Sequence, residues 1–124
     1  MKFKTFMIIF PAMILAACSG IGGEPVPTLT SVEQQGQAVY TLRCAQCHTL
    51  TPDTVVIGPS LAGIATRAAS RVPGYDTQTY LETSILIPDD YLVEGFANTM
   101  PTNFGKELTS EEFAALVAYL MTLK

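Results

Sequence analysis

Five consecutive residues, Cys44-Ala45-Gln46-Cys47-His48, gather most of the reactive side chains of this chain into one turn. The 124 residues include three cysteines and one histidine, so the remaining thiol, Cys18, stands apart far upstream. On a helix, positions 44, 47 and 48 fall at i, i+3 and i+4, and their side chains leave from one face. Two thiols so spaced can add to the two vinyl groups of one haem, while the imidazole that follows reaches the iron from the same side. Three other chemistries compete for the motif. A thioredoxin-like dithiol calls for a βαβ setting, and no strand pattern accompanies this one. A zinc centre takes four ligands, and Cys18 belongs to a different segment. A nucleophilic cysteine needs partners brought in by the fold, and no second histidine exists. One covalent haem c on Cys44 and Cys47 is expected, with His48 as an axial iron ligand.

The other axial ligand follows by elimination. With no second imidazole, a thioether is the remaining donor. Met1, Met7 and Met13 fall within residues 1–17, read below as a signal that is removed. Met121 lies four residues past Val117, on the apolar face of a predicted helix, where filling the core accounts for it. Met100 sits in Asn98-Thr99-Met100-Pro101-Thr102, which has no helical period to explain it. Pro101 fixes its own φ and biases Met100 toward extended backbone, so the segment is stiff where a sulfur must be aimed. Met100 is the expected partner of His48.

Lys2 and Lys4 precede an apolar run from Phe6 to Ala17, broken only by Pro11. That is the layout of a secretory signal, and it falls short of the roughly 20 apolar residues of a membrane-spanning helix. Its end, Leu15-Ala16-Ala17-Cys18, resembles the lipobox of bacterial lipoproteins, where the cysteine takes a diacylglyceryl group and becomes the N-terminus. An ordinary signal that happens to contain a cysteine is the other reading. Residues 1–17 are therefore expected to be a signal peptide and Cys18 the lipidated residue. Residues 18–29, with Gly20, Gly22, Gly23, Pro25 and Pro27, read as a flexible tether, and residues 30–124 as one folded domain.

A net charge of −4, from 7 basic and 11 acidic residues, argues against binding nucleic acid through phosphates. Loss of Lys2 and Lys4 with the signal deepens it to −6. The elements that must position the motif are helical. Thr30-Ser31-Val32-Glu33 and Thr109-Ser110-Glu111-Glu112 both have capping-box spacing. The first opens a helix over 31–45, whose inner side holds Val32, Val39, Tyr40 and Leu42. The second opens a helix with Phe113, Leu116, Val117 and Leu120 at i, i+3, i+4 and i+7. A short helix is predicted within 61–71. Another covers 77–87, capped by Asp76 or Thr77 and turning Tyr80, Leu81, Ser84 and Ile85 inward. Segments 49–60 and 101–108 read as loop, and no period-two run appears. The class is all-α, with three to four short helices and long loops. So short a domain buries only a modest core of its own.

These segments resemble the small monohaem class I cytochromes c over residues 36–123. The resemblance implies that family's fold, wrapped around one covalent haem, with Gly36 and Tyr40 packing on Leu116 and Tyr119. It implies that the Pro59 carbonyl, in Gly58-Pro59-Ser60-Leu61-Ala62-Gly63, accepts the His48 N–H and that Leu61 packs on the haem. It assigns Arg67 to a haem propionate; on its own, Arg67 reads as a solvated helix residue. The chain departs from mitochondrial members in having no Trp and no ring of lysines, and Thr77 stands where an aromatic propionate partner is usual. From Tyr80 to Pro101 it is more similar to cytochrome c domains fused to second subunits of bacterial haem-copper oxidases. It is similar, too, to the monohaem lipoprotein subunit of alternative complex III.

Histidine–methionine ligation closes both axial positions and favours outer-sphere transfer of single electrons over bond chemistry. The expected protein is an electron carrier, not itself a catalyst, in a respiratory or photosynthetic chain. It is exported and lipid-anchored at the outer, periplasmic face of a bacterial cell membrane. Redox proteins are its donor and acceptor, within a quinol-oxidising complex or an oxidase. The other readings are a free lipid-tethered shuttle, a haem sensor or enzyme with a displaceable Met100, and a lipoprotein whose haem only staples the fold.

Overall fold

The two threonines with capping-box spacing begin the two long helices. Thr30 Oγ1 accepts from the Glu33 amide, and the Glu33 carboxylate accepts from the Thr30 amide at 2.6 Å. This opens α1, Ser31–Arg43. Thr109 and Glu112 repeat the exchange at 2.9 and 3.1 Å and open α5, Ser110–Leu120. Between them lie α2, Ile64–Arg67, running into a 3-10 turn at Ala68–Ser70, then α3, Thr77–Leu86, and α4, Phe104–Glu107. The computed structural model describes residues 28–124. The expected signal peptide 1–17, the expected lipidation site Cys18 and the expected tether up to residue 27 lie outside the described residues. Among the described residues there is no strand, and the all-α expectation holds.

α1 and α5 pack on each other along Gly36, Val39 and Tyr40 on one side and Ala115, Leu116 and Tyr119 on the other. Leu116, 1% exposed, is the centre of the core. The Tyr40 and Tyr119 rings lie 5.8 Å apart, tilted by 49°. Val32 and Leu42 are expected inside and are not: they are 49% and 71% exposed. A glycine at the contact lets the helices approach so closely that α1 buries only a narrow stripe. α1 also ends at Arg43, short of the predicted 45, although the amides of Cys47 and His48 still turn back onto Cys44 O at 3.0 and 2.9 Å.

α3 is capped by Asp76, whose carboxylate accepts from the Thr79 amide at 2.7 Å, a bond that holds its pKa below the usual carboxylate range. Tyr80, Leu81 and Ile85 are buried as the periodicity predicts. α2 is shorter than expected because Gly63 turns left-handed, at φ 66°, and delays the helix to Ile64. The predicted loop 101–108 contains α4, which drives Phe104 into the core. Met121 is not a core filler. It closes α5 at the surface, 37% exposed. The chain end ties back to the middle, since the Ala65 amide donates to Leu123 O at 2.9 Å.

Candidate haem site

The Cys44–His48 turn and the loop after it are laced together by backbone. Cys47 O accepts the amides of Ile57 and Gly58 at 3.3 and 2.8 Å, and Thr49 O accepts the Leu61 amide at 2.8 Å. Ser60 Oγ donates to Thr51 O at 2.8 Å. This lacing brings Pro59 O to 2.8 Å from His48 Nδ1. A carbonyl can only accept, so Nδ1 carries the proton and Nε2 is left as the donor to a metal. From the other side the Tyr40 hydroxyl donates to His48 O at 2.7 Å. Burial, with Tyr119 next to it, raises the Tyr40 phenol above its ordinary range, and it stays a donor.

Two contributors here were not expected from sequence. A Cβ at Gly58 would stand 2.5 Å from His48 Cε1, so the ring lies on bare backbone. The Tyr40 hydroxyl was assigned only packing. A glycine directly before the proline was the available signal for Gly58; nothing local distinguishes the hydroxyl's role.

His48, Cys44 and Cys47 line one cleft of about 260 Å³. Cavities that hold a single benzene ring measure about 150 Å³, so this one is made for something larger. Leu61, Leu81, Ile85, Phe104, Leu116 and Leu120 supply its apolar walls. Met100 lines it as well, and Met121 does not. Pro59 and Leu61 line it too. Arg67 is on the wall too, but its guanidinium donates to the carbonyls of Ala62 and Ser60. Thr77, at the expected aromatic position, donates from Oγ1 to Ala65 O at 3.3 Å.

Cys44 and Cys47 are free thiols, both half-buried. Burial, then the neighbouring Cys47, pushes the Cys44 thiol up to about 11. Redox-active dithiols have one thiol lowered instead. A thiol raised in this way is poorly suited to exchange. Among the described residues no group of three or more His, Cys, Asp or Glu could hold a metal ion. The donor set therefore fits a flat apolar group fixed at two thiols, with iron facing His48 Nε2.

The comparisons with known proteins agree with this geometry. The family model for cytochrome c matches residues 33–124. Cytochrome c2 iso-1 of Magnetospirillum molischianum is 32% identical over 91 residues, covering 66% of this chain and 91% of that relative. Cytochrome c type-1 of Ascaris suum is 39% identical over 46 residues, 37% of this chain and 41% of that relative. With the motif, the cleft and the all-helical fold in the same places, the chain belongs to the cytochrome c family: it is a class I monohaem electron carrier whose haem c is bound covalently through Cys44 and Cys47.

Proposed function

We propose that this carrier holds iron between His48 and Met100 and is anchored by a lipid on Cys18 to the outer face of a bacterial cell membrane. There it serves as a subunit of a quinol-oxidising complex of the alternative complex III kind, or of an oxidase. The observation that carries the ligand assignment is that Met100 lines the same cleft as the His48 ring, while Met121 caps α5 outside it. Haem c supplies a one-electron iron couple. The chain supplies the rest. Pro59 fixes the imidazole tautomer, and Pro101 restrains the backbone that aims the Met100 sulfur. Leu61, Leu81, Ile85 and Phe104 exclude water, which favours the less charged reduced state and raises the potential. With a side chain on each axial face, no position is left open for a substrate.

Among the described residues no helix is long and apolar enough to cross a membrane. In this reading the attachment is made by the two chains of a diacylglyceryl group, which meets the two-signal requirement for stable anchoring. So confined, the carrier meets the same neighbours at high effective concentration.

Met100→Ala is expected to abolish the weak near-infrared sulfur-to-iron band of the oxidised protein, and Met121→Ala to leave it intact. The reverse result would overturn the ligand assignment. Gentle detergent extraction of native membranes tests the rest. The cytochrome is expected to co-migrate with other subunits, with an intact mass of residues 18–124 plus haem and acyl groups. Migration alone after mild crosslinking leaves a free lipid-tethered shuttle, and a mass retaining residues 1–17 removes the lipid anchor.

A further inference from the structure

On the Met100 side the wall of the cleft is a single run of chain, from the end of α3 to Pro101. Tyr91, Val93 and Phe96 line the cleft from this run and are half-buried. Its outer side carries apolar residues that the core does not use. Leu86, Ile87 and Leu92 are all exposed, Ile87 by 58%. Asp89, Asp90 and Glu94 stand among them, exposed as well. The charge of the domain is gathered here. Residues 72–105 hold five acidic residues and no basic one, while the five basic residues of 28–124 are matched by five acidic residues elsewhere. Asp76 is bonded to the Thr79 amide, Glu82 accepts from Gln78 at 2.7 Å, and Asp90 accepts from the Tyr75 hydroxyl at 3.1 Å. Among the described residues, Asp89 and Glu94 make no ion pair.

We propose that the apolar patch of Leu86, Ile87 and Leu92, rimmed by Asp89 and Glu94, docks a redox protein whose own face carries lysine or arginine around an apolar centre. The inference rests on the electron-carrier reading above and adds the chemistry of the partner. An apolar centre inside a charged, solvated rim is the anatomy of a specific interface, and aliphatic side chains gathered in one exposed patch mark such a place. Charge selects the occupant. A second copy would set acid against acid, which costs affinity, and an anionic lipid surface is repelled in the same way. A basic partner is steered to this side from a distance. Once docked, it is separated from the cleft by one thickness of chain. Approach over α5 would leave a whole helix between, since Leu116 and Leu120 line the cleft from that helix's inner side. The polarity is the reverse of that in mitochondrial members, whose ring of lysines this chain lacks.

Stopped-flow electron exchange between the full haem-loaded protein and a mitochondrial cytochrome c, used as a probe with a lysine-ringed face, tests this. One electron passes from the ferrous iron of one protein to the ferric iron of the other, in whichever direction runs downhill. The bimolecular rate is expected to fall about tenfold between about 0.01 and 0.1 M ionic strength, as the Debye length shrinks from about 30 to about 10 Å. Asp89→Asn with Glu94→Gln is expected to slow the exchange at low salt and to flatten its salt dependence. Asp53→Asn with Glu111→Gln removes the same charge from exposed positions elsewhere and is expected to keep the parent's dependence. Ile87→Ser is expected to slow exchange at every salt concentration with the parent's slope. The slope is the deciding quantity, because a shift in haem potential changes the rate and leaves the slope. The assignment is overturned by a rate that does not fall with salt, or by equal flattening in the two double variants. It is overturned also by an Ile87→Ser rate equal to the parent's, or by a dimer in sedimentation that Ile87→Ser dissolves, which gives the face to a second copy. Absence of covalent haem, or haem that does not cycle between oxidation states, would instead overturn the electron-carrier reading.

Discussion

With serine in place of both Cys44 and Cys47, the chain is expected to lose its fold at room temperature. Left unfilled, the cleft exposes to water apolar wall that the haem covers in the parent. Small domains are stable by only about 5–15 kcal/mol in total, so a loss of that kind takes much of the margin. The residues facing the cleft are also the core itself: Leu81, Ile85, Phe104, Leu116 and Leu120 pack against one another on one side and toward the haem on the other. Far-UV circular dichroism of the double variant should show most of the helical signal gone, and its gel band should carry no haem stain. A cooperative melt within a few degrees of the parent would show that the helices stand without the group.

Gly36→Ala is the second large effect. A methyl there would overlap the Ala115 carbonyl oxygen and come within 2.7 Å of Tyr119 Cβ. Helix propensity alone favours alanine over glycine by about 1 kcal/mol, so the two influences oppose each other and the sign is informative. The obstacle on α5 is backbone, which cannot rotate aside, and overpacking of this kind costs about 3 kcal/mol. The midpoint of thermal unfolding should fall by roughly 15 °C, at 4–8 °C per kcal/mol for a domain of this size. A variant as stable as the parent would mean that α5 slides on α1 without penalty.

How much of this was legible in the sequence depends on how local the cause is. Capping boxes are written in four residues, and both helices they mark begin where predicted. Pro59 was legible only through family resemblance, and Met100 through its place beside a proline outside any helical period; both line the cleft. α4 was missed because four residues with Gly105 among them have little propensity of their own; the burial of Phe104 holds the turn in place. Val32 and Leu42 misled because hydrophobicity shows that a side chain could be buried, while the closeness of the α1–α5 crossing decides which ones are. Met121 misled in the same way, its apolar face running past the end of the core. The hydrogen bonds of Arg67 to the Ser60 and Ala62 carbonyls depend on a loop path that no local pattern records.

The crossing of α1 and α5 also bears on the order in which the molecule can be made. Gly36 meets Ala115 across almost the whole length of the domain, and the Ala65 amide waits for Leu123 O near the chain's end. Contacts that join distant parts of a chain slow folding, because the intervening loop must be closed before any of them forms. Tyr40, on α1, is the residue that holds the His48 carbonyl, and its ring is buried against Tyr119 of α5. The imidazole therefore reaches its final setting only when the last helix docks. Until then the two thiols stay on an open, early-synthesised segment, within reach of the machinery that must join them to the haem, and docking of α5 then closes the fold around the group.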